Sequence, residues 1–162
     1  MYNVLGIDGA THSSGYSVFD METGDLVDYG VVSGGDSENS LQRINVIIQE
    51  FKKIIKEYNI RKVVAEAPIA WRKNITTLMV LCNLQGAISQ MCYDMDISCQ
   101  FVEVGTWRAK LEWERMDRES YKEQSIQFAN EMFGLNLVDE DDIADAINLS
   151  YATIWMKLPR AY

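Results

Sequence analysis

Asp8 stands where a short apolar run, Val4, Leu5 and Ile7, gives way to a string of small and polar residues from Gly9 to Gly15. A charge at the end of a core strand is costly to bury unless something pairs with it. Glu66 is placed in the same way, directly after Val63, Val64 and Ala65. Asp142 and Asp145 are three apart, among Ile143, Ala144, Ala146, Ile147 and Leu149, so a helix would carry both on one face. Four acids from three distant segments could thus converge. Carboxylates gathered in that way repel one another, and without cations some take up protons. Oxygen-only ligation favours Mg²⁺, with Mn²⁺ able to substitute, over zinc. Two such ions, about 3.5–4 Å apart, are a known device for in-line attack on a phosphodiester. One activates the attacking water and the other stabilises the leaving 3′ oxygen. That chemistry needs no nucleophilic side chain, which suits a chain with one histidine and no evident Ser/His/Asp triad.

Each acid also has a purely structural reading. Asp8 could open a turn, and Asp139 to Asp142 could be an acidic cluster favoured by a helix N-terminus. Glu66 has little structural purpose at the end of a buried strand. Taken together, in this order and on these elements, the four favour a site.

The elements that must position them follow from periodicity. "NVLGID", "GYSVFD" and "LVDYGVVS" read as three strands in an antiparallel meander, with Gly24–Asp25 turning between the last two. From Ser40 to Tyr58, Leu41, Ile44, Ile47, Ile48, Phe51, Ile54 and Ile55 recur at helical spacing, with Lys52, Lys53 and Lys56 on the other face. "KVVAEAP" is a buried strand ended by Pro68. A helix precedes it, so it is expected to return parallel to the first strand through a right-handed crossover. Asp8 and Glu66 would then emerge at the carboxyl edge of the sheet, where open α/β sheets build their sites.

A Leu- and Met-rich helix from Asn74 to about Tyr93, a fifth strand "CQFVEV", a short helix capped by Thr106, a helix from Arg118 to Phe133 ended by Gly134, and a last helix over "DEDDIADAINLSYATIWMK" complete the pattern. The expected class is α/β, with a five-stranded mixed sheet, three strands in a meander and two parallel, flanked by helices. No repeat or linker breaks the chain, so residues 1–162 are read as one domain.

Composition narrows the class. Apolar residues make up 48% and charged residues 24%, a globular balance. Cys82, Cys92 and Cys99 lack CxxC spacing, which reads as reduced core thiols rather than a zinc site or disulfide framework. With no basic n-region before an apolar stretch and no uninterrupted apolar run of membrane-spanning length, neither a signal peptide nor a membrane partner is expected, and the location expected is the cytoplasm. The net charge of −9 counts against a nucleic-acid partner, but the charge is unevenly spread. The first 42 residues hold no Lys or Arg, whereas residues 43–122 hold thirteen of the fifteen basic ones, so a local basic surface can form.

"LGIDGATHSSGYSVFD", "VVAEAP", "LQGAI" and "DDIADAINLSYA" resemble the four motif regions of the RuvC family of Holliday-junction resolvases, from about Val4 to Ala152. Within it, the chain looks most like the divergent RuvC-like enzymes of Gram-positive bacteriophages, which would place it in the host cytoplasm. The resemblance implies an RNase H-like fold, a homodimer, and Mg²⁺-dependent symmetric nicking of four-way DNA junctions and other branched DNA. It assigns Asp8, Glu66, Asp142 and Asp145 as catalytic residues and ligands of two ions per site, Asp142 being preferred to Asp141 by the DxxDA spacing. No nucleotide cofactor is implied.

Where bacterial relatives carry an aromatic wedge this chain has Pro68 and Ile69, with Trp71 a little later. Trp71 could stack on an opened base or serve as buried structure or a dimer contact. Relatives also carry lysines before the last helix; Arg108, Lys110 and Lys122 are the candidates here, Lys122 preferred at the scissile phosphate. Trp71, Arg72 and Lys73 form a basic–aromatic loop beside the expected site, suited to the phosphate backbone. His12 follows Asp8 with at most a modest role. The Leu/Met-rich helix is either core throughout or a dimer interface on its outer side. The rivals are an RNase H-like enzyme cutting RNA–DNA hybrid, a non-catalytic junction binder, and an ATP-binding protein of the actin and sugar-kinase type, for which 162 residues are too few to form two lobes.

Overall fold

The computed structural model describes residues 2–68 and 74–156. The strands are β1 (Asn3–Asp8), β2 (Ser13–Asp20), β3 (Leu26–Ser33), β4 (Ile60–Glu66) and β5 (Ser98–Val102). The helices are α1 (Ser40–Glu57), α2 (Ile75–Asp94), α3 (Val104–Lys110), α4 (Arg118–Phe133) and α5 (Asp141–Met156). They form one five-stranded sheet in the order β3-β2-β1-β4-β5. β1 pairs antiparallel with β2 and parallel with β4, as the meander and crossover require.

Period-two alternation divides the core between the two faces of the sheet. Leu5, Ile7, Val18, Val63 and Ala65 pack with α1 and α2 on one side. Val4, Val64 and Val102 pack with Trp107, Leu111 and Leu149 on the other, and Phe19 packs there with Ala129, Ala144 and Ile147. The central helix of that second face, α5, lies unusually close to the sheet. A Cβ at Gly6 would stand 1.7 Å from Ser150 Oγ and 2.8 Å from the Ala146 carbonyl oxygen. Ser17 Oγ donates to that same carbonyl at 2.8 Å. Small residues on β1 and β2 are what let the helix approach.

Local boundaries follow side-chain caps. Asn39 accepts from the amides of Leu41 and Gln42, Asn74 from Thr77, and Asp117 from Ser120. Gly134 closes α4 in the left-handed conformation, as its position predicts.

Four expectations are corrected. Thr106 does not cap α3, which starts two residues earlier at Val104; its N-cap position is Glu103, without a side-chain bond. The last helix starts at Asp141, because Asp139 turns out of it at φ +61° and Glu140 accepts from the Val138 amide. α2 is not core throughout. Leu84, Ile88, Met91 and Cys92 are buried, but Ile75, Met79 and Tyr93 are 71%, 63% and 82% exposed, and Cys82 is an exposed thiol rather than a core one. With 20 residues and an 18-residue stretch of mean hydropathy 1.2, this helix is long and apolar enough to cross a membrane, by length and composition only.

Candidate active site

β1 and β4 run parallel with Ile7 beside Ala65, so Asp8 and Glu66 end adjacent strands at one edge of the sheet. Alternation puts Asp8 on the face of Val4 and Gly6, and Glu66 on the face of Val64, which is the α5 face. Across the ladder Asp8 is opposite Gly15, and the first turn of α5 lies directly against Gly15. The glycine thus brings Asp142 down beside Asp8, and Asp145 follows three residues on.

The electrostatics record the convergence. Burial, then the charges of Glu66, Asp145, Asp142 and Asp141, push Asp8 well above the usual carboxylate range. Burial and the neighbouring Asp141 raise Asp142, against the pull of Lys122. Burial raises Asp145 too, although a Ser125 hydrogen bond and Arg108 oppose it. The four acids expected from the sequence therefore share one field, joined by a fifth, Asp141, whose carboxylate pairs with Lys122 at 3.3 Å.

Their present partners are specific. Trp107 Nε1 donates to Glu66 Oε2 at 3.1 Å. Arg108 Nη2 donates to Asp145 Oδ2 at 3.2 Å, its guanidinium lying 4.3 Å from the Tyr121 ring centroid and 5.0 Å from that of Trp107. Ser125 donates its hydroxyl to Asp145 Oδ1. With these partners in place, no three acid, His or Cys side chains among the described residues are already gathered to hold one metal ion. The donor set still fits a hard divalent cation, being all oxygen, crowded and mutually destabilising.

Of the expected basic residues, Arg108 and Lys122 reach the acids, whereas Lys110 is exposed in the last turn of α3 and makes no hydrogen bond or ion pair to them. Trp71, Arg72 and Lys73 lie outside the described residues. His12 is exposed after β1. Trp107, Ser125 and Asn148 were not legible as site residues. The one available signal was spacing, since Asn148 is one helical turn beyond Asp145 and Ser125 one turn beyond Lys122.

The family model described as crossover junction endodeoxyribonuclease RuvC matches residues 4–152. Curated relatives of that name include one from Finegoldia magna, 25% identical over 94% of this chain and 92% of the relative. Another, from Fusobacterium nucleatum, is 28% identical over 89% of this chain and 75% of the relative. Among solved structures, Thermus thermophilus RuvC in complex with Holliday junction substrate superposes with a TM-score of 0.78 at 14% identity, covering 97% and 96% of the two chains. The fowlpox virus resolvase in complex with its junction substrate reaches 0.64 at 13% identity, covering 97% and 99%. The fold shared with these chains is the one built above from the strand order.

Proposed function

The chain belongs to the RuvC family of crossover junction endodeoxyribonucleases, and on that footing we propose that it resolves four-way DNA junctions, and other branched DNA, by paired symmetric nicks. One observation carries the reading: Asp8, Glu66, Asp142 and Asp145, from three distant segments, meet at the carboxyl edge of β1 and β4 in one mutually repelling group. Binding DNA alone gains nothing from concentrating negative charge. A metal-dependent nuclease does.

The four carboxylates would hold two Mg²⁺ ions, or Mn²⁺ in their place, which when bound supply an activated water and a stabilised leaving 3′ oxygen. Lys122 and Arg108 carry positive charge to the same edge, where a phosphodiester must approach acids that would otherwise repel it. Lys110, exposed in the last turn of α3, and, by sequence alone, Trp71, Arg72 and Lys73 are the further candidates for contact with the phosphate backbone. The exposed face of α2, with Ile75, Met79 and Cys82 at helical spacing and Gly86 open to close approach, suits contact with a second copy. A dimer would set two sites on opposing strands. The whole of residues 1–162 acts as one nuclease domain in the cytoplasm.

The test is one gel in which labelled four-way junction, linear duplex and RNA–DNA hybrid are each incubated with Mg²⁺ and with EDTA. The reading expects paired nicks in the junction with Mg²⁺ only. Cleavage of the hybrid in preference to the junction would replace it with an RNase H-like activity, and binding without cleavage would make the chain a junction binder.

A further inference from the structure

Asp145 is held at both oxygens, and behind one of them lies a chain of buried polar groups. Ser125 on α4 and Asn148 on α5 are both fully buried. Asn148 Nδ2 donates to the Ser125 carbonyl oxygen at 3.0 Å and to Ser125 Oγ at 2.9 Å. The orientation of that amide is dictated by its surroundings. A backbone carbonyl can only accept, so turning the amide over would set Asn148 Oδ1 against another acceptor. Because Asn148 donates into the serine hydroxyl, the serine's own proton is left to point onward, and it does so, to Asp145 Oδ1. The arrangement leaves Asn148 Oδ1 buried without a hydrogen-bond partner. A buried orphan of that kind is costly to retain and calls for an explanation.

We propose that Asn148 and Ser125 are positioning residues, forming a one-way hydrogen-bond relay that fixes the carboxylate plane of Asp145 so that it can bind a divalent cation. The inference rests on reading Asp145 as a ligand. A ligating carboxylate that accepts a hydrogen bond on its outer lone pair keeps its inner ones for the metal, and such outer partners are what orient it. Arg108 restrains the other oxygen and is the contact that has to give way. Ser125 can stay.

Direct binding of Mn²⁺ to the full chain, followed by the electron paramagnetic resonance signal of free Mn²⁺, tests the relay without relying on cleavage. Ser125→Ala is expected to raise the half-saturating Mn²⁺ concentration by about 10-fold or more. Asn148→Ala is expected to raise it as well, but to add little in the Ser125→Ala background, since it acts through the serine. Thr153→Ala removes another buried hydroxyl of α5, one that donates to the Leu149 carbonyl at 2.7 Å, and should leave Mn²⁺ binding unchanged. Melting temperatures measured on the same samples identify any variant that fails to fold. Wild-type affinity in folded Ser125→Ala or Asn148→Ala, fully additive losses in the double variant, or an equal loss in Thr153→Ala would each overturn the relay while leaving Asp145 a ligand. A wild-type chain that takes up no Mn²⁺ would overturn both.

Discussion

The carbonyl of Asp142 sits on Gly15: a Cβ placed at the glycine would lie 2.0 Å from that oxygen and 2.4 Å from its carbon. Both obstructing atoms are backbone, so no side-chain rotation relieves the clash. Gly15 is also the cross-strand neighbour of Asp8. One missing methyl group therefore sets how far the α5 carboxylates stand from the strand carboxylate.

Gly15→Ala should push α5 outward, with a stability loss of about 1–3 kcal/mol. Cleavage of junction DNA should fall by about 10²-fold, because a misplacement near 1 Å is enough for that. Urea unfolding and single-turnover cleavage on the same preparation check the two effects. Normal cleavage would mean that the spacing of α5 is not critical.

Asp8→Asn should abolish cleavage while junction binding persists, and it should stabilise the metal-free protein. The charge removed is the one most strongly opposed by burial and by Glu66. Each kcal/mol of relieved repulsion raises Tm by about 2–4 °C in a chain of this size. Gel shift, cleavage and thermal melts in EDTA read the three outcomes. A variant that cuts normally would remove Asp8 from the site.

The pH dependence has a definite sign. Asp8, Asp142 and Asp145 hold their protons in the folded chain at pH values where the unfolded chain, with ordinary values near 3.8, has already released them. Without metal, stability should therefore fall as pH rises above about 4, and level off once the raised group is fully ionised. Asp20 and Asp117 act oppositely, since backbone hydrogen bonds lower both, so their contribution is lost as pH falls below 3.8. Thermal melts across pH in EDTA should show the decline, and saturating Mg²⁺ should remove most of it.

Lys122→Ala should slow cleavage by about 10²-fold, the scale for one lost electrostatic donor at developing charge. Its ion pair with Asp141 is partly exposed, at 35% and 27%, so stability should change by under about 1 kcal/mol. Comparing kcat with KM separates this from weaker DNA binding, which would appear in KM alone.

A charged residue on the outer face of α2, as in Met79→Arg, should halve the sedimenting mass at micromolar concentration without lowering the helix content. A wild-type chain that already sediments as one copy would count against the dimer.

Much of this molecule is legible in one dimension. Unbroken apolar runs over Val4–Ile7 and Val63–Ala65, helical period over Ile44–Ile55, and Gly134 as a stop are local properties, and the elements formed where they pointed. The pairing of Asp8 with Glu66 at one edge followed from a topological rule, the parallel return through a helix. The boundary at Thr106 did not follow, because α3 starts after Glu103 without any side-chain cap, so no capping residue marks where it begins. Nor did the partners of the acids. Trp107 is 41 residues from Glu66 and Ser125 is 20 from Asp145, and hydrogen bonds of that span leave no periodic trace. Which carboxylates could meet was thus written in residue type and order. How closely they meet, and what holds each in place, was decided only when α5 settled onto Gly6 and Gly15, because close packing depends on atoms brought together by the whole fold.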